Sequence, residues 1–127
     1  MNIKSSQKLV EEAKKSIETL SVSKAKELSD KQEITFIDVR DIRELWKEGT
    51  IENSKHIPRG MLEFWLDPDG PYFKSGKIDM NKEMVLFCAG GLRSALAVKS
   101  LKEMGFEKIS HVDGGFAAIS QSDFKIV

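Results

Sequence analysis

The chain has 127 residues, and its 20 Lys plus Arg balance 20 Asp plus Glu for a formal net charge of +0. That balance offers no basic field to a polyanion, so nucleic acid and anionic membrane are not expected partners. The single cysteine excludes an internal disulfide, and the length suits one domain that buries roughly two thirds of the surface its unfolded chain exposes.

Met1 to Glu18 contains acidic residues and no uninterrupted apolar run, unlike a secretory signal or a membrane span, so a cytoplasmic location is the default expectation. Leu9, Val10, Ala13, Ile17 and Leu20 form one apolar stripe. Their spacing predicts a helix from Ser6 to about Glu18, with residues 1–20 lying as a helical unit over a domain of residues 21–127. Val22 is expected to begin a short strand or turn, Ser23 to Leu28 a helix, and the β-branched and aromatic run Glu33 to Val39 a strand. Asp41 with Glu44 three residues on has the form of a capping box, and Gly49 that of a helix stop; Leu45 and Trp46 are expected to anchor this helix to the core. Ser54 to Ile57 reads as a short strand, the apolar run Met84 to Phe87 as a strand buried on both faces, and Ile109 to Val112 as the last strand. Strands alternating with helices imply an α/β fold: a parallel sheet with helices on both faces.

Cys88 follows the apolar Met84–Phe87 strand and precedes Ala89-Gly90-Gly91-Leu92-Arg93-Ser94. It therefore falls at a strand's carboxyl end, where loops of an open α/β sheet converge on ligands. Gly90 and Gly91 permit the positive φ that turns successive N–H groups inward as an anion-binding nest. Ala95, Val98, Leu101 and Met104 then continue at helical spacing to Gly105, so the nest opens into the positive end of a helix dipole. Both features favour a thiolate at Cys88.

The chain resembles the rhodanese-like sulfurtransferases through four segments in order. These are Ile37-Asp38-Val39-Arg40 with Glu44, His56-Ile57-Pro58-Arg59-Gly60, the Cys88–Ser94 loop, and Asp113-Gly114-Gly115-Phe116; the family usually has tryptophan where Phe116 and Ile119 stand. The resemblance implies a rhodanese-like fold and a thiolate of Cys88 that takes a sulfane sulfur from a small-molecule or protein donor. The resulting persulfide passes that sulfur to a thiol or other nucleophilic acceptor, with no metal or organic cofactor. Ala89, Gly90, Gly91, Leu92, Arg93 and Ser94 would hold the donor or terminal sulfur.

Four residues separate Cys88 from Arg93, whereas phosphatases related to this fold place the arginine one residue further away. The shorter loop suits one sulfur atom better than a tetrahedral phosphate or arsenate. Arg93 is either a clamp or a partner for a carboxylate such as Asp38. Ala89 and Leu92 put no charge in the loop, which weakens the case for thiosulfate, while Arg59, Lys74 or Lys77 would supply charge at the rim. Asp38, Arg40 and Glu44 read as structural support, with Arg40 and Glu44 within helical reach of each other. His56 and His111 are isolated and lack metal-ligand spacing, so no base paired with Cys88 is evident. The turn-rich stretch Met61 to Met80 carries Phe64, Trp65, Tyr72 and Phe73, either walling the Cys88 pocket as a docking surface or covering the sheet as core. Two other readings stay open: a rhodanese-like binding or sensor module without turnover, and a phosphatase or arsenate reductase. Donor, acceptor and oligomeric state are not legible.

Overall fold

A computed structural model describes residues 2–127. In chain order the elements are α1 (Ser6–Lys14), β1 (Glu18–Leu20), α2 (Val22–Asp30), β2 (Ile34–Asp38), α3 (Ile42–Glu48) and β3 (Lys55–His56). A 3₁₀ turn at Arg59–Met61 leads into the short helices α4 (Leu62–Trp65) and α5 (Pro71–Lys74). There follow β4 (Glu83–Phe87), α6 (Leu92–Met104), β5 (Ile109–Val112) and α7 (Gly115–Ile119). The five strands form one sheet in the order β1-β5-β4-β2-β3, and every pairing is parallel.

Alternation along the strands divides the core into two layers. Ile37, Met84, Leu86, Cys88 and Ile109 face one side, where α6 contributes Ala97, Val98 and Leu101 and α4 contributes Leu62. Phe36, Val85, Phe87 and Val112 face the other, against Ala25 of α2, Phe116 and Ile119 of α7, and Phe124. The parallel sheet covered on both faces is as expected, and the capping box is present: Asp41 accepts from Arg43 N and the Glu44 carboxylate accepts from Asp41 N.

The structure corrects two sequence expectations and decides between the two readings of a third segment. The first helix ends at Lys14, and Glu18–Leu20 is a strand. The apolar stripe is real, but only Val10 and Ala13 are buried on α1; Ile17 enters the core from the following turn and Leu20 from β1. Pairing of β1 with the edge of β5 outweighs continuation of the helix. The second correction concerns α3, which buries no residue: Trp46 is 76% exposed and Leu45 only half-buried. Polar bonds hold this helix instead, as described below.

Residues 61–80 follow the second of the two readings given for them, that of covering the sheet as core. Trp65 stacks on Tyr72 at 5.3 Å between ring centroids, and both pack against the core, while Phe73 meets Phe106 edge-on at 6.4 Å. Phe106 follows the carboxyl end of α6, one helix length, about 20 Å, from Cys88. The distal part of this segment thus closes the amino end of the sheet rather than walling the Cys88 pocket. Lys77 lies there too, over the Tyr72 ring and beside Ile34 and Lys82.

Candidate functional site

β4 delivers Cys88 to the carboxyl edge of the sheet, on the α6 side, with 1% exposure. Gly91, at φ +96°, supplies the left-handed turn that starts α6. The turn folds the loop over the sulfur, so that Gly91 N donates to Sγ at 3.2 Å and Ser94 N at 3.3 Å, with Ser94 Oγ at 3.5 Å. Burial pushes the Cys88 thiol up, but the Ser94 hydroxyl and the amides of Ser94, Gly91 and Gly90 outweigh it. The net position is below the ordinary cysteine value.

The loop is held from beneath by the Asp113–Phe116 turn. Phe116 N donates to Cys88 O at 2.7 Å and Ala117 N to Ala89 O at 3.1 Å. Gly115 has φ +57°, and a Cβ there would sit 2.5 Å from Cys88 O and 2.9 Å from the Ala89 carbonyl. Only glycine lets the two backbones approach this closely.

Arg93 forms a two-pronged pair with Glu44, at 2.9 Å for both bonds. This answers the question left by the sequence: its partner is Glu44, not Asp38, and Glu44 is correspondingly not the partner of Arg40. The pair ties α3 to the loop, and the Arg93 guanidinium holds the Glu44 carboxyl below its ordinary value. Asp38 and Arg40 form a separate, fully buried pair on the other face of the sheet. Arg40 Nη2 donates to Asp38 Oδ2 at 2.8 Å and Nε to Oδ1 at 3.0 Å, and Thr50 Oγ1 also donates to Asp38 Oδ2, at 2.7 Å. The guanidinium carbon lies 4.0 Å from the Phe116 ring centroid. Phe116 thus covers the buried cation through its ring face.

Arg59 does not touch the loop. Its guanidinium is held by Glu63 at 2.9 Å and by Ser100 of α6 at 3.2 Å, so the rim charge expected of it is already paired. Leu92, inside the loop, is 59% exposed and gives the rim an apolar character instead.

The histidines depart furthest from expectation. His56 bonds the Arg40 carbonyl at 2.7 Å. His111 is fully buried, with Nδ1 2.9 Å from Ser94 Oγ and Nε2 2.9 Å from Thr19 Oγ1. A hydrogen-bonded row therefore runs from Cys88 through Ser94 and His111 to Thr19. The available signal was a polar pair, Ser110-His111, inside the short buried strand Ile109–Val112, where apolar residues are the norm.

The model of the rhodanese-like domain matches residues 21–122. The chain belongs to the rhodanese-like domain family. It is 29% identical over 103 residues to the thiosulfate sulfurtransferase GlpE of Shewanella oneidensis, covering 81% of this chain and 92% of that protein. It is 30% identical over 96 residues to the tRNA uridine(34) hydroxylase of Escherichia fergusonii, covering 76% of this chain but only 26% of the hydroxylase. The chain thus spans about a quarter of the tRNA-modifying relative and most of the sulfurtransferase. Among solved structures, a Rhodopseudomonas palustris protein of unknown function, described as a possible tyrosine phosphatase, superposes with a TM-score of 0.89 at 40% identity. That match covers 100% of this chain and 97% of the other. The family is enzymatic, and among the described residues no helix is long and apolar enough to cross a membrane. The expectation of no nucleic-acid partner rested on net charge, and a tRNA-modifying relative removes charge as sufficient ground for it.

Proposed function

We propose that the protein is a rhodanese-type sulfurtransferase working through a persulfide on Cys88. The observation that carries this reading is the convergence of Gly91 N, Ser94 N and Ser94 Oγ on Sγ, within 3.2–3.5 Å. These donors favour a thiolate, and they are already in place where negative charge must be held after transfer. The Cys88 thiolate attacks the sulfane sulfur of a donor R–S–S⁻. A new S–S bond forms at Sγ, the donor's S–S bond breaks, and R–S⁻ leaves with the electron pair. An acceptor thiolate or cyanide then attacks the terminal sulfur and releases the Cys88 thiolate. No metal or organic cofactor enters this sequence.

Charge narrows the donor class. Arg93 is engaged by Glu44 and Arg59 by Glu63, while Ala89 and the exposed Leu92 are uncharged. Such a rim favours the persulfide of a small thiol or of a protein over the thiosulfate dianion. The same bond takes Arg93 away from the clamping role that phosphoryl transfer would require, and the loop is one residue shorter than a phosphatase's, so sulfur transfer is preferred over phosphatase chemistry.

The test is thiocyanate formation from cyanide with glutathione persulfide or thiosulfate as donor. Turnover is expected with both, faster with the persulfide, and absent in Cys88→Ala. Absence of turnover with either donor, or hydrolysis of an aryl phosphate that Cys88→Ser abolishes, would overturn the reading.

A further inference from the structure

The row from Cys88 to Thr19 is fixed by the fold at both ends. In the parallel register Thr19 stands opposite His111, and His111 opposite Leu86. All three therefore share the sheet face that lies under α6. Ser94, in the first turn of α6, reaches down from the Cys88 loop to His111 Nδ1 at 2.9 Å. Thr19 belongs to the edge strand and is exposed, so the row connects the buried sulfur to solvent.

Counting protons fixes the direction of the row when Cys88 is a thiolate. A thiolate only accepts, so the one hydroxyl proton of Ser94 must point to Sγ. Ser94 Oγ is then an acceptor towards His111, and Nδ1 must carry the imidazole proton. A neutral ring has only one, so Nε2 accepts from the Thr19 hydroxyl. In the thiol form every bond can reverse: Cys88 S–H to Ser94, Ser94 O–H to Nδ1, and Nε2–H to Thr19. We infer that His111 is a positioning residue which, in its Nδ1-protonated tautomer, frees the Ser94 hydroxyl proton for Cys88 and so stabilises the thiolate.

Were Nδ1 bare, it would compete with sulfur for that same proton. The ring is suited to this task because it stays neutral: burial, then the charge of Lys14, pushes its pKa down to about 4, against a weaker opposite effect from Asp113. Arg93, whose charge is felt by Cys88, is held by Glu44, and the Asp38–Arg40 pair is buried on the opposite face of the sheet. None of these lies on the row. The inference rests on Cys88 as the nucleophile proposed above, but it concerns the thiol itself.

The test follows the rate of Cys88 alkylation by iodoacetamide against pH, a readout that does not require any sulfur transfer. Ser94→Ala is expected to raise the midpoint by about one pH unit, a tenfold loss of thiolate below it. His111→Phe should raise it by a smaller amount, His111→Asn, which restores a donor, should recover most of that, and Ser94→Ala/His111→Phe should match Ser94→Ala alone. A His111→Phe midpoint equal to wild type, or additive shifts in the double variant, would overturn the inference. Imidazole ¹⁵N shifts of the unmutated protein supply a check independent of variant folding. Above the alkylation midpoint, protonation at Nδ1 is expected, and protonation at Nε2 would contradict it. Normal alkylation shifts without thiocyanate formation would leave this inference standing while removing the sulfurtransferase reading.

Discussion

The two ends of the sheet are built on opposite principles. At the amino end, Phe73, Met80, Met84, Met104 and Phe106 line an open cleft of about 380 Å³ together with Pro68 and the chain around Lys108. Its walls are mostly apolar, with Lys82 and Glu107 among them, and they include no cysteine, serine or histidine. At the carboxyl end Cys88 has almost no accessible surface, with Ser94 and His111 fully buried and hydrogen-bonded on its own face of the sheet and the Asp38–Arg40 pair fully buried on the other. Burying polar groups costs stability unless they are partnered, and their concentration at this end is what the chemistry proposed for Cys88 would need.

Changes at the carboxyl end should therefore cost both stability and Cys88 reactivity, whereas those at the amino end should cost stability alone. The largest effect is expected for Arg40→Met, which strands the buried Asp38 carboxylate and should lower unfolding free energy by about 3–5 kcal/mol in urea denaturation. Gly115→Ala should follow, at about 2–4 kcal/mol, because the added methyl meets Cys88 O at 2.5 Å in a left-handed backbone. In whatever fraction remains folded, Cys88 alkylation should also slow, since the loop must shift; unchanged alkylation would deny Gly115 its hold on the loop. Phe73→Ala at the other end should cost about 1–3 kcal/mol through lost packing on Phe106 and leave the alkylation profile unmoved.

The buried His111 supplies a pH signature. Its folded pKa of about 4 lies below the ordinary 6.5, so between these values the unfolded chain binds a proton that the native protein refuses. Stability should be full above pH 6.5 and fall by up to about 3 kcal/mol as pH drops towards 4. A denaturation series over that window should show a shallower fall in His111→Phe, and an equal fall would locate the proton elsewhere. The smallest effect is expected for Glu44→Gln. The Arg93 partner is partly exposed, so screening leaves the pair worth less than about 1 kcal/mol in urea denaturation.

The sheet, its helical layers and the Cys88 loop were legible because each rests on local signals: apolar runs, glycines at turns, and a capping box. What the sequence concealed depends on register and on contacts far apart in the chain. Thr19 and His111 are 92 residues apart, and nothing local says that β1 will pair beside β5. Arg93 and Glu44 are 49 apart, and the choice of Glu44 over Asp38 follows from where α3 sets its first turn. Trp46 shows the converse: an aromatic residue on a short helix reads as core, but α3 is held by its cap and by Arg93, leaving the ring in solvent.

The central claim is that sulfur is carried on Cys88, and intact mass tests it most directly. After incubation of the reduced protein with glutathione persulfide and removal of excess donor, a gain of one sulfur atom is predicted. It should be removed by cyanide and be absent in Cys88→Ala. An unmodified mass, or an adduct that persists in Cys88→Ala, would contradict the account.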